Sequence, residues 1–153
     1  MKSINVLNKY DILIKRGIIN NCGEEIKKIS KANIAAVVTD DNVAKHYLDA
    51  VTSSLEGAGF KVFSFVFPHG EENKTIETVM KMVEFFAECG LTRLDIAIAL
   101  GGGVCGDMCG FAAAMYLRSI SFVQTPPKVS IPSERGVTSK SNTPVSSPPR
   151  TPA

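Results

Sequence analysis

The sequence predicts an α/β fold in which helices cover both faces of a parallel sheet. Short apolar runs alternate along the chain with segments whose apolar residues recur at helical spacing. The runs are almost continuously apolar, which is typical of strands buried on both faces. Three consecutive glycines at residues 101–103 join one such run to a helical segment. Ligands of such sheets bind at the carboxyl ends of the strands, so the functional residues are expected there.

The first half of the chain predicts a hairpin followed by alternating helices and strands. Apolar residues alternate with polar ones over residues 4–14, which predicts two short antiparallel strands. A helical stripe follows over residues 18–29, and residues 34–38 form a buried strand that ends in capping residues at 39–42. We expect a helix over residues 44–55, closed by Gly57 and Gly59, and a strand over residues 60–67. A further helix over residues 76–87 is ended by Gly90.

The stretch around the three glycines predicts a strand, a turn and a helix. Residues 94–100 form an apolar run broken only by Asp95, which indicates a buried strand. Three glycines in a row suit neither a strand nor a helix interior, so a turn is expected. The helix is predicted to start at Gly106, because helical spacing begins there with Met108, Phe111, Ala112, Met115 and Tyr116. A last strand is predicted over residues 119–124.

A strand, a glycine turn and a helix in this order have a chemical use. A helix start offers unpaired N–H groups and a partial positive charge, and glycines let phosphates approach the backbone. Gly101, Gly103 and Gly106 satisfy the pattern G-x-G-x-x-G, which predicts a phosphate or dinucleotide site. The alternative is a tight turn that requires small residues. No acidic residue lies in residues 118–124 to hold a ribose, so Asp40 is the candidate for that role.

Polar residues at two other strand ends have two interpretations each. Asp40 and Asn42 either cap a helix or bond ribose hydroxyls. Glu71 and Lys74 either form an ion pair with each other in a solvated loop, or belong to a loop that closes over the adenosine side of a nucleotide. The three strand ends would converge on one crevice if their strands are neighbours.

Two further charged residues follow the glycines. Asp107 either stabilises the helix start or, because its carboxylate would repel a pyrophosphate, points toward the nicotinamide or substrate side. Arg118 is either an exposed helix-end cation or an anion-binding group. His69 is interpreted as a loop residue.

The charge and cysteine patterns exclude several classes of protein. The net charge is +2, of which residues 126–153 carry +3, so the first 125 residues sum to 2 − 3 = −1 and nucleic acid is not expected as a partner. The four cysteines form no C-x-x-C zinc pattern, so reduced thiols, a cytoplasmic location and no metal site are predicted. No apolar stretch is long enough to span a membrane. Residues 126–153 hold seven of the eight prolines and nine Ser or Thr residues, which predicts a disordered tail.

Three motifs together carry a resemblance to a known family. The segment ALGGGVCGDMCGFAAAMYLRSISFVQ, with VTDDNV at residues 38–43 and PHGEENK at residues 68–74, resembles the N-terminal half of the 3-dehydroquinate synthases. The resemblance covers residues 1–124. It implies a Rossmann-like NAD-binding domain over residues 1–125 and a shikimate-pathway lyase activity on a phosphorylated sugar acid. A divalent metal, zinc or cobalt, and a homodimer are further implications for the full-length family.

The resemblance also implies roles for individual residues. Asp40, Asn42, Glu71 and Lys74 would hold the adenosine side of NAD, while Gly102, Gly103 and Val104 would face the pyrophosphate. Asp107 would lie near the nicotinamide. The catalytic assignment is Arg118, which resembles an arginine that reaches substrate phosphate from the adjoining subunit of a dimer.

The sequence departs from the family pattern after residue 118. The family usually has glycine where Ser119 stands, and its later motifs, including a glutamate and two histidines that bind the metal, have no counterpart here. The chain is therefore expected to be inactive by itself, and the tail resembles an out-of-frame product. Two alternatives stay open: an NAD-binding part of a related sugar-phosphate cyclase or iron-type polyol dehydrogenase, and a non-catalytic nucleotide-binding remnant.

Overall fold

The computed structural model describes residues 2–6, 10–14 and 17–126. Strands β1 (Lys2–Val6) and β2 (Tyr10–Ile14) pair antiparallel, with Lys2 opposite Ile14 and Val6 opposite Tyr10. The predicted N-terminal hairpin is thus confirmed. The predicted disordered tail lies outside the described residues, apart from Pro126.

Four parallel strands form the main sheet, in the order β4, β3, β5, β6. Their bounds are β3 (Ile34–Asp40), β4 (Lys61–Phe67), β5 (Ile96–Leu100) and β6 (Ser121–Thr125). The last residue of β3, Asp40, is level with Phe67 of β4, and Thr39 is level with Leu100 of β5. Because β3 lies between β4 and β5, the three polar strand ends meet at one edge of the sheet, as the sequence predicts.

Helices cover both faces of this sheet. Helix α1 (Cys22–Ile29) follows a 3-10 turn (Ile18–Asn21). Helix α2 (Asp41–Val43) continues through a π segment (Ala44–Leu48) into α3 (Asp49–Gly57). A 3-10 turn (Glu71–Asn73) precedes α4 (Ile76–Glu88). Helix α5 (Gly103–Met115) ends in another 3-10 turn (Tyr116–Arg118).

Alternate side chains of the central strands pack into two separate hydrophobic cores, one on each face of the sheet. In β3, Ala36 and Val38 pack with residues of α4 and α5, whereas Ala35 and Val37 pack with residues of α1 and α3. Strand β5 is buried along its whole length. Side chains of a strand alternate between the faces, so an uninterrupted apolar run is required when both faces are covered. The predicted α/β fold with helices on both faces is confirmed.

Asp95 joins the amino-terminal edges of two strands. Its carboxylate accepts hydrogen bonds from the backbone N–H groups of Asn33 at 3.2 Å, Ile34 at 3.0 Å and Thr92 at 2.8 Å, and from the Thr92 hydroxyl at 3.0 Å. Burial alone would raise the pKa of this carboxyl, but the hydrogen bonds from Thr92, Ile34 and Asn33 outweigh it and lower the pKa. The one charged residue of this apolar run therefore fixes the start of β3 beside the start of β5.

The predicted start of α5 is wrong by three residues. The helix begins at Gly103 rather than at Gly106. Gly106 lies inside the helix. It is glycine at a close contact, because a Cβ there would overlap the side-chain amide of Gln124 on β6. The apolar stripe is also shifted: Phe111 and Met115 are exposed, and the buried face holds Cys105, Met108, Cys109, Ala112, Ala113 and Tyr116.

Two strands start later than the sequence pattern indicates. Strand β5 begins at Ile96, and Leu94 is 77% exposed. Strand β6 begins at Ser121, because positive φ angles at Leu117, Arg118 and Ser119 prevent extended pairing before it.

Candidate nucleotide site at the carboxyl edge of the sheet

The glycine turn presents open backbone at the start of α5. Gly102 and Gly103 are exposed, and a Cβ built on either would meet no other atom within 4 Å. The first helical hydrogen bond of α5 runs from Gly106 N to Gly102 O at 2.9 Å, which leaves the amides of the first turn without helical partners. Such amides, with the helix dipole behind them, favour an anionic ligand.

The floor of the turn is tightly packed. Gly101 is buried and donates its N–H to the carbonyl of Thr125 on β6 at 3.2 Å. A Cβ on Gly101 would come within 2.9 Å of the Cβ of Cys105, so only glycine fits there. The Cys105 thiol donates to the carbonyl of Val38 at 3.2 Å, and burial raises its pKa well above the ordinary value. Cys105 is therefore a packed structural thiol beneath the turn.

Asp40 stands beside this turn at the end of β3. Its Oδ1 accepts the N–H of Val43 at 2.8 Å, so the capping interpretation is confirmed. Its Oδ2 would lie 3.9 Å from a Cβ on Gly101, so the second carboxylate oxygen faces the glycine turn. Asn42 is exposed two residues later. The ribose-binding role of both residues stays a prediction.

The loop after β4 is linked to α5 by an ion pair. Lys74 Nζ lies 2.9 Å from Asp107 Oδ2, and both side chains are exposed. The hydrogen bond from Lys74 and the charge of Asp107 raise the pKa of the lysine. Of the two interpretations, the one that pairs Lys74 with Glu71 is wrong, because α4 and α5 pack against each other and bring Asp107 to Lys74. Glu71 is exposed in the adjoining 3-10 turn.

Arg118 is not part of this constellation. It lies between α5 and β6, and β6 starts level with the start of β5, because Ser121 pairs with Ile96. Helix α5 spans 13 residues, which separates its two ends by roughly 20 Å. Arg118 therefore lies toward the amino edge of the sheet, away from the glycine turn of its own chain.

A second contact at this edge could not be recognised from local sequence patterns. Asp41 Oδ1 accepts two hydrogen bonds from His69, one from its backbone N–H at 3.1 Å and one from its ring Nδ1 at 2.6 Å. The two residues are 28 positions apart, and each by itself is typical of a cap or a loop. Only the adjacency of β3 and β4 brings them together.

Within residues 2–6, 10–14 and 17–126, no group of three His, Cys, Asp or Glu side chains is arranged to hold a metal ion. None of the described helices is both long and apolar enough to cross a membrane.

Two enzymes of known structure have a similar fold. A solved structure of 2-deoxy-scyllo-inosose synthase complexed with carbaglucose-6-phosphate, NAD+ and Co2+ superimposes with a TM-score of 0.71 and 23% identity, over 82% of this chain and 34% of that one. The 2-epi-5-epi-valiolone synthase ValA from Streptomyces hygroscopicus subsp. jinggangensis 5008, with NAD+ and Zn2+ bound, gives a TM-score of 0.66 and 24% identity, over 82% and 34% of the two chains. At these identities the likeness shows the fold alone.

Sequence similarity identifies the family. A 3-dehydroquinate synthase of Streptococcus suis (strain 05ZYH33) is 46% identical over 125 residues, which are 81% of this chain and 35% of the relative. The chain thus spans about a third of the length of that curated relative. The model of the 3-dehydroquinate synthase N-terminal region matches residues 64–143, or 80 of the 153 residues. Because this match covers more than half of the chain, the protein belongs to the 3-dehydroquinate synthase family.

Proposed function

We propose that the chain is the NAD-binding part of a 3-dehydroquinate synthase. The observation that carries the proposal is the open glycine turn at the start of α5, with a carboxylate oxygen of Asp40 directed toward it. A pyrophosphate needs backbone N–H groups without side chains in the way, and a ribose needs a nearby carboxylate. Both requirements meet at the carboxyl edge of the sheet.

Each predicted site residue has a role in this proposal. Gly102, Gly103 and Val104 face the pyrophosphate, and Gly102 and Gly103 have open space above them. The adenosine side is held by Asp40 and Asn42 after β3 and by the loop after β4, which supplies Glu71 and Lys74. Asp107, one turn into α5, is assigned to the nicotinamide side of the pyrophosphate in this proposal.

The ion pair between Lys74 and Asp107 fits these two roles. It joins the loop of the adenosine side to the helix that carries the pyrophosphate site. The ammonium of Lys74 offsets the negative charge of Asp107, so this carboxylate repels the cofactor phosphates less than a lone carboxylate would. The pair therefore makes an acidic residue compatible with an anion site on the same helix.

The reaction of the whole enzyme is the conversion of 3-deoxy-D-arabino-heptulosonate 7-phosphate to 3-dehydroquinate and phosphate. NAD, when bound, would transiently accept a hydride from the substrate carbon that carries a hydroxyl, while that hydroxyl loses its proton. The proposal rests on family membership and on the phosphorylated sugar analogue bound to a protein of the same fold. The described residues fit the nucleotide but not a divalent metal, so no zinc or cobalt step is assigned to them.

Two further parts of the proposal concern assembly and location. Arg118 is exposed at the edge opposite the glycine turn, so it would act as a phosphate-binding residue only toward the site of a second subunit. A homodimer would place Arg118 of one subunit at the site of the other. A cytoplasmic location is supported by the four cysteines, all of which are free thiols.

The test is NAD binding by the purified chain and by Gly103→Ala. Saturating NAD at about 100 times its dissociation constant should raise the free energy of unfolding by about 2.7 kcal/mol, seen as a higher melting temperature. Gly103 has helical neighbours and free space, so alanine should fold equally well. Its methyl group would occupy the place of the pyrophosphate, so affinity should fall about tenfold or more, equivalent to about 1.4 kcal/mol.

The matched control is Gly57→Ala, at the end of α3, where a Cβ also meets nothing within 4 Å. This variant should bind NAD as the parent chain does. Absence of any NAD-induced shift in the folded parent chain would contradict the proposal, as would equal affinities in the parent chain and Gly103→Ala.

A further inference from the structure

Asp41 and His69 form a contact that the proposed nucleotide roles do not use. Both hydrogen bonds of this contact end on the same carboxylate oxygen, Asp41 Oδ1. One comes from the backbone of His69 and the other from its ring, so the contact fixes the main chain and the side chain together. An ionised carboxylate accepts only, so Nδ1 of the imidazole must carry a proton.

The contact fixes the start of the loop at residues 68–74. Asn73 Nδ2 donates to the carbonyl of His69 at 3.1 Å, and Asn73 N donates to Gly70 O at 3.0 Å, so the loop is closed on itself. Its far end is held by Lys74 on Asp107 at 2.9 Å. The loop is thus attached at one end to the turn after β3 and at the other end to the helix after β5.

These two attachments hold the loop across the carboxyl edge of the sheet. Asp41 starts the helical segment that runs into α3 on one face, whereas Asp107 belongs to α5 on the other face. Glu71 lies between these two attachments, and Lys74 forms the second one. Release of the Asp41 contact would leave Lys74 as the loop side chain that, among the described residues, still bonds to a neighbouring helix, and the position of Glu71 would then be less restricted.

We propose that Asp41 and His69 are positioning residues, whose contact holds the loop at residues 68–74 in the arrangement that binds the adenosine side of the cofactor. The proposal rests on the proposed NAD site and deepens it. Neither residue needs to touch the nucleotide. Their effect on binding passes through the loop and through Glu71 and Lys74.

The electrostatic surroundings of His69 make this role dependent on pH. The hydrogen bond with Asp41 and the charge of that carboxylate raise the pKa of His69, and the charges of Asp40 and Glu72 raise it further. The same bond lowers the pKa of Asp41. Because the pKa of His69 is raised in the folded state, the stabilisation that its contact with Asp41 gives to the folded chain is complete below the ordinary pKa of 6.5. This stabilisation is lost as the pH rises through the raised pKa. NAD affinity should follow the same course.

The experiment measures the NAD dissociation constant of the full chain by calorimetry between about pH 6 and about pH 9, an interval that brackets an elevated histidine pKa. The parent chain should bind more weakly as the pH rises, by up to about fivefold, because both partners are exposed to solvent. His69→Gln and Asp41→Asn should bind with the weaker, high-pH affinity throughout. The control His46→Gln alters the other histidine and should keep the pH dependence of the parent chain.

A second measurement follows the contact without ligand. The chain has two histidines, so the ring resonance of His69 is assigned by comparison with His46→Gln. Its pKa should exceed the ordinary 6.5 and should fall in Asp41→Asn. A direct bond from His69 to the cofactor phosphates predicts instead that Asp41→Asn retains a pH-dependent affinity.

The outcomes separate this inference from the proposed function. NAD binding with a flat pH profile, or with the same profile in Asp41→Asn, would overturn the positioning role and leave the NAD site standing. No NAD binding at any pH would overturn the proposed function itself and the positioning role with it.

Discussion

Ser119 occupies a backbone conformation that suits glycine. Its φ angle is 110° and its ψ angle is 121°, and it follows Leu117 and Arg118, which also have positive φ angles. A side chain in this region costs of order 1–3 kcal/mol. The turn is nevertheless required, because it reverses the chain from α5 into β6. The structure therefore gives a physical reason for the glycine that the family resemblance implies at this position.

Ser119→Gly should stabilise the chain. Relief of the strained φ angle outweighs the added entropy of glycine in the unfolded state, and we expect about 1 kcal/mol more free energy of unfolding. Urea denaturation measures it. The control Ser121→Gly replaces the same residue type in β6, where extended φ angles are ordinary, and should destabilise the chain. Equal effects of the two substitutions would contradict the strain at Ser119.

Individual contacts at the site were the least predictable feature. Asp40 could be recognised from the sequence as a cap because its partner, Val43, is three residues away. One of the two interpretations of Lys74 paired it locally with Glu71, whereas its partner Asp107 is 33 positions away. Such contacts depend on which strands are neighbours, and local spacing carries no information about strand order.

At the scale of elements, close helix packing depends on single glycines. Gly23 of α1 lies directly against α3, where its N–H donates to the Ser54 hydroxyl at 2.8 Å. A Cβ at Gly23 would overlap the backbone carbonyl of Ser54. Backbone cannot move aside as a flexible side chain can, so this contact sets the distance between the two helices.

Gly23→Ala should therefore destabilise the fold by about 1–3 kcal/mol, the usual cost of overpacking. Thermal unfolding monitored by circular dichroism gives the change. Gly110→Ala on α5 is the matched control, because its Cβ would meet the nearest atom, Cε2 of Phe122, at 3.4 Å, an ordinary contact distance. That variant should retain or gain stability through better helix propensity. A neutral Gly23→Ala would show that α1 and α3 are free to separate.

Element types could be predicted from the sequence, but some boundaries could not. Continuous apolar runs identified the two central strands, β3 and β5, because strands with two covered faces demand them. The start of α5 was misplaced because a glycine was interpreted as a boundary. Gly106 is instead a contact residue whose partner, Gln124, lies 18 positions later on β6.

At the scale of the whole molecule, the reactivity of the cysteine thiols can be used to measure the unfolding of the two cores. Cys22 belongs to the core under α1 and α3, and Cys105 and Cys109 belong to the core under α4 and α5. Cys89 is half-buried at the end of α4. Burial raises the pKa of the thiols of Cys22, Cys105 and Cys109, which lowers their reactivity further.

A thiol reagent should modify Cys89 first in the native chain and the other three only upon unfolding. Time-resolved labelling followed by peptide mapping measures the four rates, and Cys89→Ser should remove the fast phase. Equal rates for Cys105 and Cys109 in native buffer and in denaturant would contradict the buried core around α5.

The carboxylate of Asp95 sets the register between β3 and β5. It aligns the start of β3 with the start of β5, and the two strands then run in parallel until Thr39 is level with Leu100. A slip of one residue would move one strand by about 3.3 Å and reverse the direction of its side chains. Asp40 would then no longer stand beside the glycine turn. The geometry of the proposed nucleotide site thus depends on Asp95, which lies at the opposite end of the strands from that site.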